Sequence, residues 1–234
     1  MTASQNILMV LTSHATMGAS GVPTGAWFEE MATPYYAFLD RGAAVTIASI
    51  RGGRVPFDPA SMRPRGDNPA SVERFLDDAK ATADLEASLP VGEAEPDAYD
   101  VLLLPGGHGT MWDFPDDQAL RRLIEEMWRR GRVIAAVCHG PAGLVNARNE
   151  LGRPIVEGRR VSAFTDSEER AAGLAHVVPF LLETRLRALG ARFEGGPDFQ
   201  PYAVRDGRLI TGQNPMSAEP LAALVLDAVQ APAL

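Results

Sequence analysis

Short, uninterrupted apolar runs that end at turn residues and alternate with helix-length stretches constrain this chain more than any other feature. Ile7–Thr12, Val45–Ser49, Val101–Leu104 and Val133–Val137 each read as a strand without a polar face. A strand apolar on both sides must be covered on both sides, and the intervening stretches can cross back over the sheet as helices. The pattern predicts an α/β fold with a mainly parallel central sheet. Helices are expected around Thr24–Arg41, Asp116–Arg130, Pro141–Ala147, Val177–Leu189 and Ala218–Val229, with a weaker strand over Arg160–Phe164. Tyr202–Arg205 and Arg208–Thr211 flank Asp206-Gly207, a hairpin signal because both turn residues tolerate positive φ. A segment rich in Pro, Gly, Asp and Arg, from about 52 to 98, breaks the rhythm. It reads as an excursion from a single domain spanning 1–234.

Bulk properties narrow the function. The 234 residues fit one α/β domain. A net charge of −8 argues against nucleic acid as a partner, because phosphate binding needs clustered Lys and Arg. The apolar run at 7–11 is short for a signal segment, and no stretch approaches the ~20 apolar residues of a membrane span. With one cysteine no intrachain disulfide can form, which suits a reducing compartment. A cytoplasmic protein with neither membrane nor nucleic-acid partners is expected.

Three local features point to chemistry. In the first, the strand Val133–Val137 runs directly into Cys138-His139-Gly140-Pro141. Ligand crevices in parallel sheets lie at the carboxyl ends of strands, so Cys138 sits where a nucleophile elbow would present it. A helix N-terminus after it would lower the thiol pKa below the ordinary ~8.5. His139 is expected to point its ring away from the sulfur, because neighbours at a tight turn diverge. The second feature, Leu104-Pro105-Gly106-Gly107-His108-Gly109-Thr110, closes another strand. It lacks the Lys-Ser/Thr of a phosphate loop. Gly106, Gly107 and His108 are candidates for substrate binding, with the Gly107 and His139 N–H groups as an oxyanion hole. The third feature is Glu30, which shares a helical stripe with Trp27, Met31, Pro34 and Phe38, whereas Glu29 falls off it and is expected to be solvated. An acid on an apolar face needs a partner or a proton. Histidines 14, 108, 139 and 176 show no metal-ligand spacing, so no metal is expected.

Five motifs, in order, resemble the ThiJ/PfpI superfamily, relatives of the class I glutamine amidotransferases: TGAWFEE…P (24–34), LPGGHGT (104–110), AAVCHGPAGL (135–144), AFTDSEE (163–169) and TGQNPMS (211–217). The 52–98 insert and the Cys-His-Gly-Pro corner are most similar to the branch of chaperone-like heat-shock proteins that act as glutathione-independent glyoxalases, also called glyoxalase III. The resemblance implies a flavodoxin-like three-layer sandwich, a homodimer and no cofactor. It implies Cys138 as nucleophile, Glu30 as the helix-borne acid beside it, His139 as the adjacent histidine and Gly107 as the oxyanion glycine. Glu169 matches the acid that orients the histidine, with the register against Glu168 open by one. The expected substrate is a small reactive carbonyl such as methylglyoxal, converted to a 2-hydroxy acid. The alternatives are a deglycase or amide hydrolase on the same cysteine, a stress chaperone, or a redox sensor. The chain has no His-x-Glu, so a glutaminase triad of the amidotransferase kind is not expected.

Overall fold

The computed structural model describes residues 5–230. In chain order the elements are β1 (Asn6–Leu11), α1 (Phe28–Leu39), β2 (Ala44–Ser49), α2 (Ala70–Asp77), α3 (Ala79–Glu86), β3 (Leu89–Pro90), β4 (Val101–Leu104), α4 (Thr110–Asp113), α5 (Gln118–Arg129) and β5 (Val133–Val137). They continue as β6 (Arg160–Val161), α6 (Asp166–Ala171), α7 (Leu182–Ala188), β7 (Arg192–Phe193), β8 (Ala203–Asp206), β9 (Leu209–Gly212) and α8 (Ala218–Gln230). Seven strands form the central sheet in the order β3-β2-β1-β4-β5-β9-β8. All neighbours run parallel except β8 and β9, which make the hairpin expected around Asp206-Gly207.

The strand pleat divides the core into two layers. Leu8, Val10, Leu102, Leu104, Ile134 and Ala136 face one side, against Leu120, Leu123, Ile124 and Met127 of α5. Ile7, Met9, Leu11, Leu103, Ala135 and Val137 face the other, against Met31 and Phe38 of α1 and Leu221 and Val225 of α8. Burying each of the larger side chains among these contributes about 1.5–3 kcal/mol, so the sheet is a stiff platform for what lies at its strand ends.

The structure departs from the sequence expectation at three elements. The helix expected at 141–147 is a 3-10 turn, Gly140–Leu144, whose sequence GPAGL carries two glycines, weak α-helix formers. The helix expected from Val177 begins at Leu182, since Pro179 disfavours helical backbone at Val178. The weak strand at 160–164 shortens to β6 and pairs only with β7, outside the main sheet. Within the 52–98 excursion, α2 buries Val72 and Phe75, and the Phe75 ring meets Phe28 and Tyr35 of α1 at 5.5 and 5.1 Å. The excursion thus braces the helix that carries Glu30.

Candidate active site

Cys138 follows the last residue of β5 with φ of 58°. That left-handed turn costs a side-chain-bearing residue about 1–2 kcal/mol and is held from both sides. The Cys138 amide donates to the Gly212 carbonyl, and the Phe164 amide donates to the Cys138 carbonyl, both at 2.9 Å. Gly140 is required by the same turn, because a Cβ there would stand 2.0 Å from the Leu104 carbonyl oxygen. The loop after β4 closes on the elbow. Thr110 Oγ1 donates to the carbonyls of Gly107 (2.8 Å) and His139 (3.1 Å), tying the two loops together.

A connected set of polar groups surrounds the thiol. Cys138 Sγ lies 3.2 Å from His139 Nδ1. His139 Nε2 lies 2.8 Å from Glu169 Oε2, and His108 Nε2 lies 3.0 Å from the other oxygen of that carboxylate. Glu30 reaches in from the first turn of α1, where its Oε2 accepts the Gly106 amide at 2.8 Å and its Oε1, fully buried, has no hydrogen-bond partner. Glu30 and His139 are inaccessible to solvent, and Cys138 is only 3% exposed.

Burial sets the protonation pattern. It raises the Glu30 carboxyl to about 8, against the smaller opposing effect of the neighbouring Cys138 thiol and the Gly106 amide. Burial also pushes the Cys138 thiol well above its ordinary value, reinforced by Glu30 and only partly offset by the Gly107 amide. The imidazole of His139 is lowered to about 4, by burial first and by neighbouring His108 second. Although burial alone would raise Glu169, the hydrogen bonds from His108 and His139 bring it down to about 2. At neutral pH the resting site therefore holds a thiol, a protonated Glu30, a neutral His139 and an ionised Glu169.

Several expectations change. The thiol is raised rather than lowered, because burial and the neighbouring Glu30 carboxyl outweigh the Gly107 amide, and only a short 3-10 turn follows Cys138. The His139 ring points at the sulfur, because the positive φ of Cys138 curls the chain until adjacent side chains converge. Two of the four histidines that looked scattered, His108 and His139, meet at one carboxylate. The fold brings one ring nitrogen each of His108 and His139 and a carboxylate oxygen of Glu169 within 4.8 Å of one another, and both Nε2 atoms are hydrogen-bonded to that carboxylate. Gly106 offers no amide to an oxyanion, since Glu30 occupies it, whereas the Gly107 amide lies at the sulfur. Gly107 must be glycine, with φ of 100° and a Cβ position 2.3 Å from the Gly25 carbonyl oxygen. Glu169, and not Glu168, meets the histidine. Glu29 is half-buried, and burial raises its carboxyl. Trp27 is half-buried at the helix start, while Met31, Pro34 and Phe38 are buried as the stripe requires.

Sequence reasoning named Glu168 only as the register alternative to Glu169 and gave it no role of its own; it is fully buried and accepts hydrogen bonds from Thr165, Phe199, Gln213 and Asn214. The Thr165-x-x-Glu168 spacing is a capping box, and that was the legible signal.

A buried cysteine on a strained strand-to-turn corner, with a histidine–carboxylate pair on its sulfur, has the geometry of a nucleophile elbow in an α/β fold. A model of the DJ-1/PfpI family matches residues 24–228, and the chain belongs to that family. It is 31% identical to the glutathione-independent glyoxalase HSP31 of Saccharomyces cerevisiae, over 97% of this chain and 99% of that protein. Among solved structures it superposes on glyoxalase III of Candida albicans with a TM-score of 0.86, at 27% identity, over 96% of this chain and 97% of that one. It also superposes on the 24 kDa rapid encystment protein of Francisella tularensis, with a TM-score of 0.92 at 36% identity, over 96% and 99% of the two chains.

Proposed function

We propose that the protein is a glutathione-independent glyoxalase that converts 2-oxoaldehydes such as methylglyoxal to 2-hydroxy acids, with Cys138 as nucleophile. The observation that carries this reading is the pairing of opposite proton states on the two sides of one sulfur. A neutral His139 can take a proton at 3.2 Å, and a protonated Glu30 can give one. Isomerising a 2-oxoaldehyde requires both, because one proton must leave C1 and one must arrive at C2.

The steps balance without an external redox partner. Cys138 sulfur bonds to the aldehyde carbon as its proton passes through His139 to the aldehyde oxygen, giving a hemithioacetal. The Gly107 and His139 amides hold the oxygen while it is negative. Glu30 donates its proton to the C2 oxygen, and the resulting carboxylate removes the C1 proton to form an enediol. That proton goes to C2, and the C1 hydroxyl proton returns to Glu30, leaving a thioester. His139 then takes a proton from water, the hydroxide displaces the sulfur, and the proton returns to the thiol. One water is consumed, and the product acid releases one proton. Glu169 keeps His139 in the tautomer that faces the sulfur and stabilises its cationic form.

The test is to incubate purified protein with methylglyoxal in buffer free of glutathione and follow lactate by proton NMR. Lactate is expected from the wild type and not from Cys138→Ala. Consumption of methylglyoxal without lactate would overturn the reading. The resemblance also carries a homodimer into this proposal, and sedimentation analysis of the same preparation checks it. Among the described residues no helix is long and apolar enough to cross a membrane.

A further inference from the structure

The mechanism leaves Glu168 and the TGQNPMS motif without a task, although both are buried beside the site. Together they clamp one loop. Glu168 Oε1 accepts from the Phe199 amide at 2.7 Å, from Asn214 Nδ2 at 2.8 Å and from Gln213 Nε2 at 3.1 Å. Gln213 Oε1 accepts the Gly196 amide at 2.8 Å, and Asn214 Nδ2 donates to the Gln200 carbonyl at 2.8 Å. Ser167 Oγ donates to Asp198 at 2.6 Å. A five-residue loop is thus fastened at four of its positions. Its product is a strained residue. Phe199 has φ of 55°, and among the described residues only it and Cys138 are non-glycines with positive φ. A bulky residue in that region persists only when its surroundings enforce it, and such strain concentrates at functional sites. The clamp leaves Phe199 40% exposed, with its ring edge-on to Phe164 at 6.2 Å. Phe164 in turn packs on the His139 ring at 4.5 Å, and its amide is bonded to the Cys138 carbonyl.

We propose that Phe199 is a specificity-determining residue whose ring forms the outer wall of the approach to Cys138 and receives the apolar substituent on C2 of the 2-oxoaldehyde. A solvated apolar ring at an enforced backbone position gains from burial against such a substituent and gains nothing from a bare dicarbonyl. This rests on the glyoxalase reading. The test compares kcat/KM for glyoxal, which lacks a substituent, and for phenylglyoxal. Glycine tolerates the left-handed backbone, so Phe199→Gly removes the ring and keeps the loop. The phenylglyoxal-to-glyoxal ratio should fall about tenfold, through KM rather than kcat, and Phe199→Tyr should restore it. An unchanged ratio, or equal loss for both substrates, overturns the proposal. If the wild type turns over neither substrate, the glyoxalase reading has failed and the wall is tested separately. Alkylation of Cys138 by N-benzyl iodoacetamide, relative to iodoacetamide, should then drop in Phe199→Gly, as read by mass spectrometry. Equal relative rates in the two proteins would overturn the wall as well.

Discussion

Cys138 is unusual in being both strained and quiet. Its backbone sits at φ of 58° and its thiol is held protonated by burial and by Glu30. On the proposed mechanism such a thiol is activated by the arriving substrate, through His139, rather than stored as a thiolate. Iodoacetamide should therefore modify the wild type with a pH midpoint above the ordinary ~8.5. The midpoint should fall in Glu30→Gln, which removes the carboxyl that reinforces the shift. A wild-type midpoint below the ordinary value would mean that the elbow stabilises the thiolate after all. Activity should separate the two neighbouring acids. Glu30 touches Gly106 and faces the sulfur, so Glu30→Gln should lose about 10²–10⁴-fold in kcat/KM. Glu29 lies off that face, and Glu29→Gln should change turnover little; comparable losses in the two variants would remove Glu30 from the proton path.

At the scale of elements, the site is three strand ends and two helix starts brought to one point. The elbow after β5 and the loop after β4 interlock so closely that glycine is obligatory at Gly140. Gly140→Ala should destabilise the protein by roughly 1–3 kcal/mol in urea titration, because the Leu104 carbonyl belongs to the central sheet and cannot retreat. The start of α6 supplies Glu169, and the His139–Glu169 bond should act as a unit. In a kinetic double-mutant cycle, losses that simply add would show that the two do not work together. The strands were legible because their apolar runs are continuous, and Cys138, Glu30 and Gly107 because each breaks a local rule that only a site explains. The convergence of His108 on Glu169 was not legible, since 61 residues separate them and only the return of the chain beyond β5 joins them. The direction of the thiol shift was missed for a related reason. Local geometry suggested a helix dipole, while burial among side chains from distant parts of the chain decides the outcome, and burial is a property of the packed whole.

For the whole molecule, the buried site becomes a signature in stability against pH. Glu30 is raised from 4.5 to about 8, so the folded state holds a proton that the unfolded chain loses, and stability falls as pH rises from about 4.5 to about 8. His139 is depressed from 6.5 to about 4, so its contribution is present above 6.5 and is lost as pH falls toward 4. Glu169 is depressed from 4.5 to about 2 and acts in the same direction over that lower window. Between about 4.5 and 6.5 the Glu30 and His139 slopes oppose and cancel, since one proton is gained on unfolding and one is lost. The wild type should therefore show a plateau of stability across that interval, with a fall on the alkaline side caused by Glu30 and a fall on the acid side caused by His139 and Glu169. Urea midpoints measured from pH 3 to pH 9 would show it. In Glu30→Gln the alkaline fall between 6.5 and 8 should flatten, and the plateau should become a slope that rises with pH up to 6.5, because His139 is then unopposed. A Glu30→Gln profile parallel to the wild type at every pH would mean that Glu30 does not rest protonated, and the acid step assigned to it would have to move to another group.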